Sequence, residues 1–233
     1  MRSISTVCIT GIFAGLLLLS DAGAQISRDM SQSPLRNPKQ GIARTESGEE
    51  IGSVIDFVVD LPTGRILLAV VNPATTHEKG TSVVLLPWSL AQVDSNGNVF
   101  DFKVATNTIQ SAPRLSAEEW KQAPTRQWLT AVEMHWHAHA TPSRIAPRSA
   151  MTLSKATALI GMRVQGADNT PLGTIRELVF DPEDSAIAAV ILAQSTGSRE
   201  QNSLEFTPIP WGQLYVRPQG NMLIAVSGRK VLT

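Results

Sequence analysis

One ordered set of residues occurs twice in this chain, 121 to 123 positions apart, and that duplication limits the fold more than any single residue does. The first set is Gly52, Asp56, Asp60, Ile66, then Pro87-Trp88 and Gly97. The second is Gly173, Glu177, Asp181, Ile187, then Pro210-Trp211 and Gly220. Glycine to aspartate is 8 positions in both; glycine to tryptophan is 36 in one and 38 in the other, the mark of one loop insertion. The chain therefore reads as two copies of a small domain. Two repeats are too few for a solenoid, so each copy is expected to form its own core.

Both copies read as β. Ile51 to Val59 is rich in β-branched residues, Asp60-Leu61-Pro62-Thr63-Gly64 is turn chemistry, and Arg65 to Val71 is an apolar strand. Ser82 to Leu86 leads into Pro87-Trp88, and Asp94-Ser95-Asn96-Gly97 predicts a second hairpin flanked by Leu90–Val93 and Val99–Val104. The second copy repeats the order with Gly173 to Phe180, a turn at Asp181-Pro182-Glu183-Asp184, Ala186 to Leu192, Phe206 to Trp211, and Leu223 to Val226 after Pro218-Gln219-Gly220-Asn221. The runs Ile66–Val71 and Ile187–Leu192 do not alternate, so both faces of these strands should be covered, by the core on one side and by the sister copy, the linker or a partner on the other.

Residues 1–24 read as a secretory signal peptide: Arg2, an apolar run from Val7 through Leu19, and Ala22-Gly23-Ala24 as the cleavage site. The apolar run is shorter than the roughly 20 residues of a membrane span. Cleavage removes Cys8, the one cysteine, so the exported chain would depend on packing and not on disulfides. The formal charge is zero and stays so after cleavage, which gives no electrostatic case for nucleic acid or anionic lipid. Residues 25–40 are polar and proline-containing, and read as a flexible leader.

The intervening segment, 107–152, differs from both copies. Ser116-Ala117-Glu118-Glu119 has capping-box spacing and predicts a helix to about Gln122. Trp128 to Ala140 is ambiguous: Leu129, Val132 and Trp136 have helical spacing, while His135, His137 and His139 alternate as on a strand. Thr141 to Pro147 reads as a loop, and Leu153 to Ile160 as a short turn or helix. On a strand the outer histidines would be roughly 13 Å apart, too far for one zinc. On a helix His135 and His139 fall at i and i+4, and Glu133 or His77 would have to complete a site.

Other candidates have plainer readings. Asp60 and Asp181 fit turn aspartates that accept backbone N–H groups. Asp56 and Glu177 fit a solvated strand face; Trp88 and Trp211, each after a proline, fit the core or lip of a barrel. No nucleophile elbow, H-E-x-x-H, Walker loop or G-x-G-x-x-G occurs, so no catalytic, cofactor-binding or metal residue is assigned.

Glu50-Ile51-Gly52-Ser53-Val54-Ile55-Asp56, Thr63-Gly64-Arg65-Ile66 and Leu86-Pro87-Trp88-Ser89 resemble the PRC-barrel domain, found in the H-subunit of purple bacterial photosynthetic reaction centres and in a ribosome maturation factor. Ile160-Gly161-Met162-Arg163-Val164, Leu172-Gly173-Thr174-Ile175, Asp181-Pro182 and Ile209-Pro210-Trp211 resemble a second copy. The resemblance implies small, bent barrels of about six strands whose relatives mostly bind other macromolecules. The expectation is a mainly β protein: two tandem PRC-like barrels, 41–106 and 153–233, joined by a partly helical linker. Export and the resemblance together imply a non-enzymatic periplasmic adaptor that docks to an envelope or membrane-associated protein, with no nucleic acid, no cofactor and no membrane span after cleavage. A pairing of the two barrels within the chain is a further expectation from the apolar strands. The alternatives are metal binding through His135–His139 and, more weakly, RNA binding.

Overall fold

The computed structural model describes residues 41–74, 82–94, 98–122, 124–139, 151–181, 184–196, 203–216 and 222–225. The expected signal peptide, the leader, His77, the 141–147 loop and the turn tips at 95–97, 182–183 and 218–221 lie outside the described residues. All described residues belong to one compact unit.

The first copy holds β1 (Ile42–Arg44), β2 (Glu50–Asp60), β3 (Arg65–Pro73), β4 (Ser82–Pro87), β5 (Ala91–Val93) and β6 (Val99–Phe102). A segment follows with α1 (Thr106–Gln110), β7 (Arg114–Ser116), α2 (Ala117–Lys121), α3 (Arg126–His139), β8 (Leu153–Lys155) and α4 (Ala156–Leu159). The second copy holds β9 (Arg163–Gly166), β10 (Pro171–Asp181), β11 (Ala186–Thr196), β12 (Ser203–Pro210), β13 (Leu214–Val216) and β14 (Met222–Ala225). Each copy is mainly β with six strands, as the resemblance implies. In both, a 3-10 turn that starts at the Pro-Trp tryptophan joins the fourth strand to the fifth.

The copies agree in register as well as in order. Ala43 faces Gly52 as Val164 faces Gly173, and Leu68 faces Pro87 as Ala189 faces Pro210. The offset is 121 up to the Val71–Val84 and Leu192–Thr207 pairs and 123 beyond them, so the two extra residues lie in that hairpin. The long hairpins shift register at the same places: between Val54 and Asp56 and between Ile175 and Glu177, then between Val58 and Val59 and between Val179 and Phe180. Such bulges bend a strand and raise its twist, which lets short strands curl into a barrel. The repeated glycine belongs to this bend. A side-chain carbon on Gly52 (φ 153°) would fall 2.0 Å from the Asn72 carbonyl oxygen, and one on Gly173 (φ 131°) 2.7 Å from that of Ala193.

The two hairpins also meet each other. Arg65 pairs with Ala186; Ile66 N–H donates to the Ser185 carbonyl at 2.8 Å, and Ile187 N–H donates to the Gly64 carbonyl at 2.8 Å. All three relations join residues 121 apart, or swap such pairs, so the junction has local two-fold symmetry. It merges the strands into one sheet. Beneath it, Phe57 lies 5.3 Å from the ring centroids of both Trp88 and Phe180, and Trp88 lies 5.7 Å from Phe100. One hydrophobic cluster spans both copies. This corrects the expectation of a separate core for each copy. Phe180 of one copy fills space beside Phe57 of the other, and so joins the two cores.

The intervening segment wraps the first copy. β7 pairs with β4, and β8 pairs with β2. Ser116 Oγ accepts from Glu119 N–H at 3.2 Å while Ser116 N–H donates to Glu119 Oε2 at 2.8 Å, the expected capping box at the start of α2. The ambiguous histidine segment is helical: Leu129, Val132 and Trp136 make one buried face of α3, and Trp136 Nε1–H donates to the Leu85 carbonyl at 3.0 Å. Burial of that stripe outweighs the strand-like alternation of the histidines.

The hairpin junction predicts a contrast between two glycines. Gly64 (φ 70°) lies under the Trp211 indole, with a Cβ position 2.4 Å from Cδ1, whereas Gly48 (φ 83°) has open space. Gly64→Ala should cost roughly 2–4 kcal/mol, strain plus overpacking, and Gly48→Ala about 1 kcal/mol. Urea unfolding measures both; equal losses would remove Trp211 from that position.

Candidate functional site

The sheet of each copy has an inner and an outer face. In the first copy Phe57, Ala69 and Leu86 stand side by side on the inner face, and Asp56, Val70 and Leu85 on the outer one. The matching rows of the second copy are Leu178, Val190 and Ile209 inside, and Glu177, Ile191 and Pro208 outside. The inner rows are buried in both copies.

The outer rows differ. In the first copy the helical segment lies over them, and Val70 and Leu85 are 0% exposed. In the second copy Ile191 and Ala193 are half-buried, Leu204 is 61% exposed and Phe206 is 55% exposed. Phe206 pairs with Ala193, and Leu204 sits two residues along the same strand, so these side chains share one apolar face with Pro208. The position matching Phe206 is Val83, which is 6% exposed on a strand that pairs with β7. Among the described residues β12 pairs with β11 alone. Leu204, Phe206 and Pro208 therefore form an apolar strip on the outer face of β12. The sequence reading missed this face because it started the strand at Phe206; the alternation Ser203-Leu204-Glu205-Phe206 carries the signal.

The acidic pair behaves as the faces do. Asp56 is buried, which corrects its assignment to a solvated strand face. It accepts from Phe57 N–H at 2.8 Å, from Thr157 N–H at 3.0 Å and from the Thr157 hydroxyl. It thereby holds the first turn of α4 on the outer face of β2. Burial pushes its carboxyl above the ordinary value of 3.8, and the bonds from Thr157 and Phe57 and the charge of Lys155 pull it partly back. Lys155 donates to the Trp120 carbonyl and sits 4.5 Å from that indole's centroid. Glu177, the counterpart of Asp56, is half-buried beside the uncovered face.

Asp60 and Asp181 both accept hydrogen bonds at their turns, but not alike. Asp181 Oδ1 accepts from Asp184 N–H at 3.1 Å. Asp60 Oδ2 accepts from the Thr63 hydroxyl at 2.7 Å, and its Oδ1 accepts from Thr152 N–H at 3.1 Å, so it also fastens the segment before β8. Trp88 and Trp211 are buried, as core tryptophans.

On α3, His135 is half-buried with its ring edge-on to Trp136 at 5.1 Å, and His137 is exposed one turn from Glu133. His139 ends the helix one turn after His135. Among the described residues no three His, Cys, Asp or Glu side chains come together as a metal site would require. No helix among them is long and apolar enough to cross a membrane.

A family model described as the PRC-barrel domain matches the chain twice, over residues 33–105 and 151–232. No curated protein matches it.

Asp56 gives a stability prediction with a sign. Its folded pKa is raised, so between the ordinary value and the folded one the native chain holds the proton more tightly. That contribution is full below about 3.8 and is lost as pH rises through the folded pKa. Asp56→Asn should flatten this fall in the urea midpoint, and an unchanged slope would reject the assignment. Asp56→Ala should cost about 1–3 kcal/mol by stranding the Thr157 and Phe57 donors, with the larger cost at low pH.

Proposed function

Because this chain belongs to the PRC-barrel family and carries two copies of its domain, we propose that it is an exported, non-enzymatic adaptor that docks a partner polypeptide on the outer face of β11 and β12. The observation that carries the reading is the unequal cover of two equivalent faces. One copy has its outer face packed under the chain's own helices, and the other presents Leu204 and Phe206 to solvent.

The covered copy indicates the chemistry of the partner. Its cover is an amphipathic helix with an apolar stripe at Leu129, Val132 and Trp136, and a helical first turn that satisfies Asp56. A partner for the second copy would bring an apolar helix face to Ile191, Leu204 and Phe206, and hydrogen-bond donors or a cation to Glu177. Exposed aromatic and aliphatic side chains at the middle of such a face supply most of the binding energy. The neutral charge of the chain disfavours RNA as that partner. The apolar run and cleavage pattern of residues 1–24 support export to the periplasm, where an envelope or membrane-associated protein would be the partner.

Two measurements test this reading. Leu204→Lys with Phe206→Lys should leave stability within about 0.5 kcal/mol, since both side chains are exposed. In a crosslinked pull-down from the native envelope, one stoichiometric partner should be captured by the wild type and lost by this double variant. The same proteins from both baits, or none from either, would reject the docking face. For export, the intact mass of the protein recovered outside the cytoplasm should correspond to a chain that starts at Gln25; a retained Met1 would reject cleavage.

A further inference from the structure

A cavity of about 250 Å³ opens between α3 and the start of β8, away from the docking face. Its walls are Pro124, Leu129, Met151 and Leu153 with the polar Thr130, Thr152 and Glu133. Glu133 is only 6% exposed, and its Oε1 is buried with no hydrogen-bond partner among the described residues. A carboxylate oxygen left so is costly, because the folded chain removes its water and returns nothing. Burial pushes its carboxyl above the ordinary 4.5, and His137 one turn along the helix pulls it partly back. His137 is itself exposed.

From this geometry we propose that the cavity is a binding site for a small aliphatic ammonium, with Glu133 as its counter-ion. The ammonium supplies donors to Glu133 Oε1 and has the hydroxyls of Thr130 and Thr152 nearby as further acceptors. Its short alkyl chain lies on Leu129, Met151 and Leu153, which gives a neutral polar ligand or a hydrated metal ion less to gain. The site is separate in place and chemistry from the outer face of β12, so either can fail without the other.

The probe is n-butylammonium chloride, titrated into the full mature chain with ¹³C-methyl methionine labelling. The Met151 methyl resonance should shift and saturate, with a dissociation constant on the order of 1 mM for so small a ligand. Butan-1-ol, the same shape without the charge, should bind at least about tenfold more weakly, as should butylammonium to Glu133→Gln. Glu133→Gln is near-isosteric and its fold is checked by the unchanged Trp136 indole resonance. If that variant unfolds, the butanol comparison on the wild type still decides. No saturable Met151 shift, equal binding of the alcohol, or equal binding to a folded Glu133→Gln would each overturn the proposal.

Discussion

Two backbone hydrogen bonds, Ile66 N–H to Ser185 and Ile187 N–H to Gly64, turn a duplicated sequence into one folded unit. Each hairpin would otherwise end in an unpaired edge beside its turn. Symmetry lets the same edge satisfy itself: the donor of one copy meets the acceptor of the other, twice. Each bond is worth only about 1 kcal/mol net. The larger contribution comes from the ring that the junction brings to the first copy's Phe57, Trp88 and Phe100: Phe180, 5.3 Å from Phe57, whose burial is worth about 2 kcal/mol or more. The bonds fix the alignment and the ring supplies most of the energy. Strict equivalence has been lost locally: Gly64 makes room for Trp211, while Ser185 holds the matching conformation at φ 55° with a side chain.

The repeat was legible because glycine, aspartate and the Pro-Trp pair stand at positions where backbone geometry leaves little choice. Gly52 and Gly173 sit where a neighbouring strand leaves no room for a Cβ, a reason the spacing alone could not disclose. The Pro-Trp pairs were readable as core tryptophans, and the unalternating β3 as a strand covered on both sides. Which of the linker, the sister copy or a partner covers it was not readable, since α3 begins more than fifty residues after β3 ends and its stripe overlaps an alternating histidine pattern. Asp56 was misread for the same reason. Its acceptor role depends on Thr157, 101 residues on, and its match with Glu177 suggested a shared solvated role that only Glu177 approaches. Side-chain identity reports local geometry well and reports distant cover poorly.

That asymmetry of cover bears on function. A duplication yields two outer faces, but the chain has one intervening segment among its described residues, and it wraps the first copy. The sequences of the fourth strands have diverged accordingly. β4 reads Ser82-Val83-Val84-Leu85-Leu86-Pro87, as suits a strand enclosed on both sides. β12 reads Ser203-Leu204-Glu205-Phe206-Thr207-Pro208-Ile209-Pro210, with polar residues interleaved and a second proline. Proline cannot donate to a sheet ladder, and edge strands commonly carry it, with charge, against uncontrolled strand addition. Yet Leu204 and Phe206 remain on the outer face. A strand guarded along its edge and apolar on its face is poorly suited to extend a sheet, and under the proposed docking it would receive a helix. This is the manner in which the first copy receives α3.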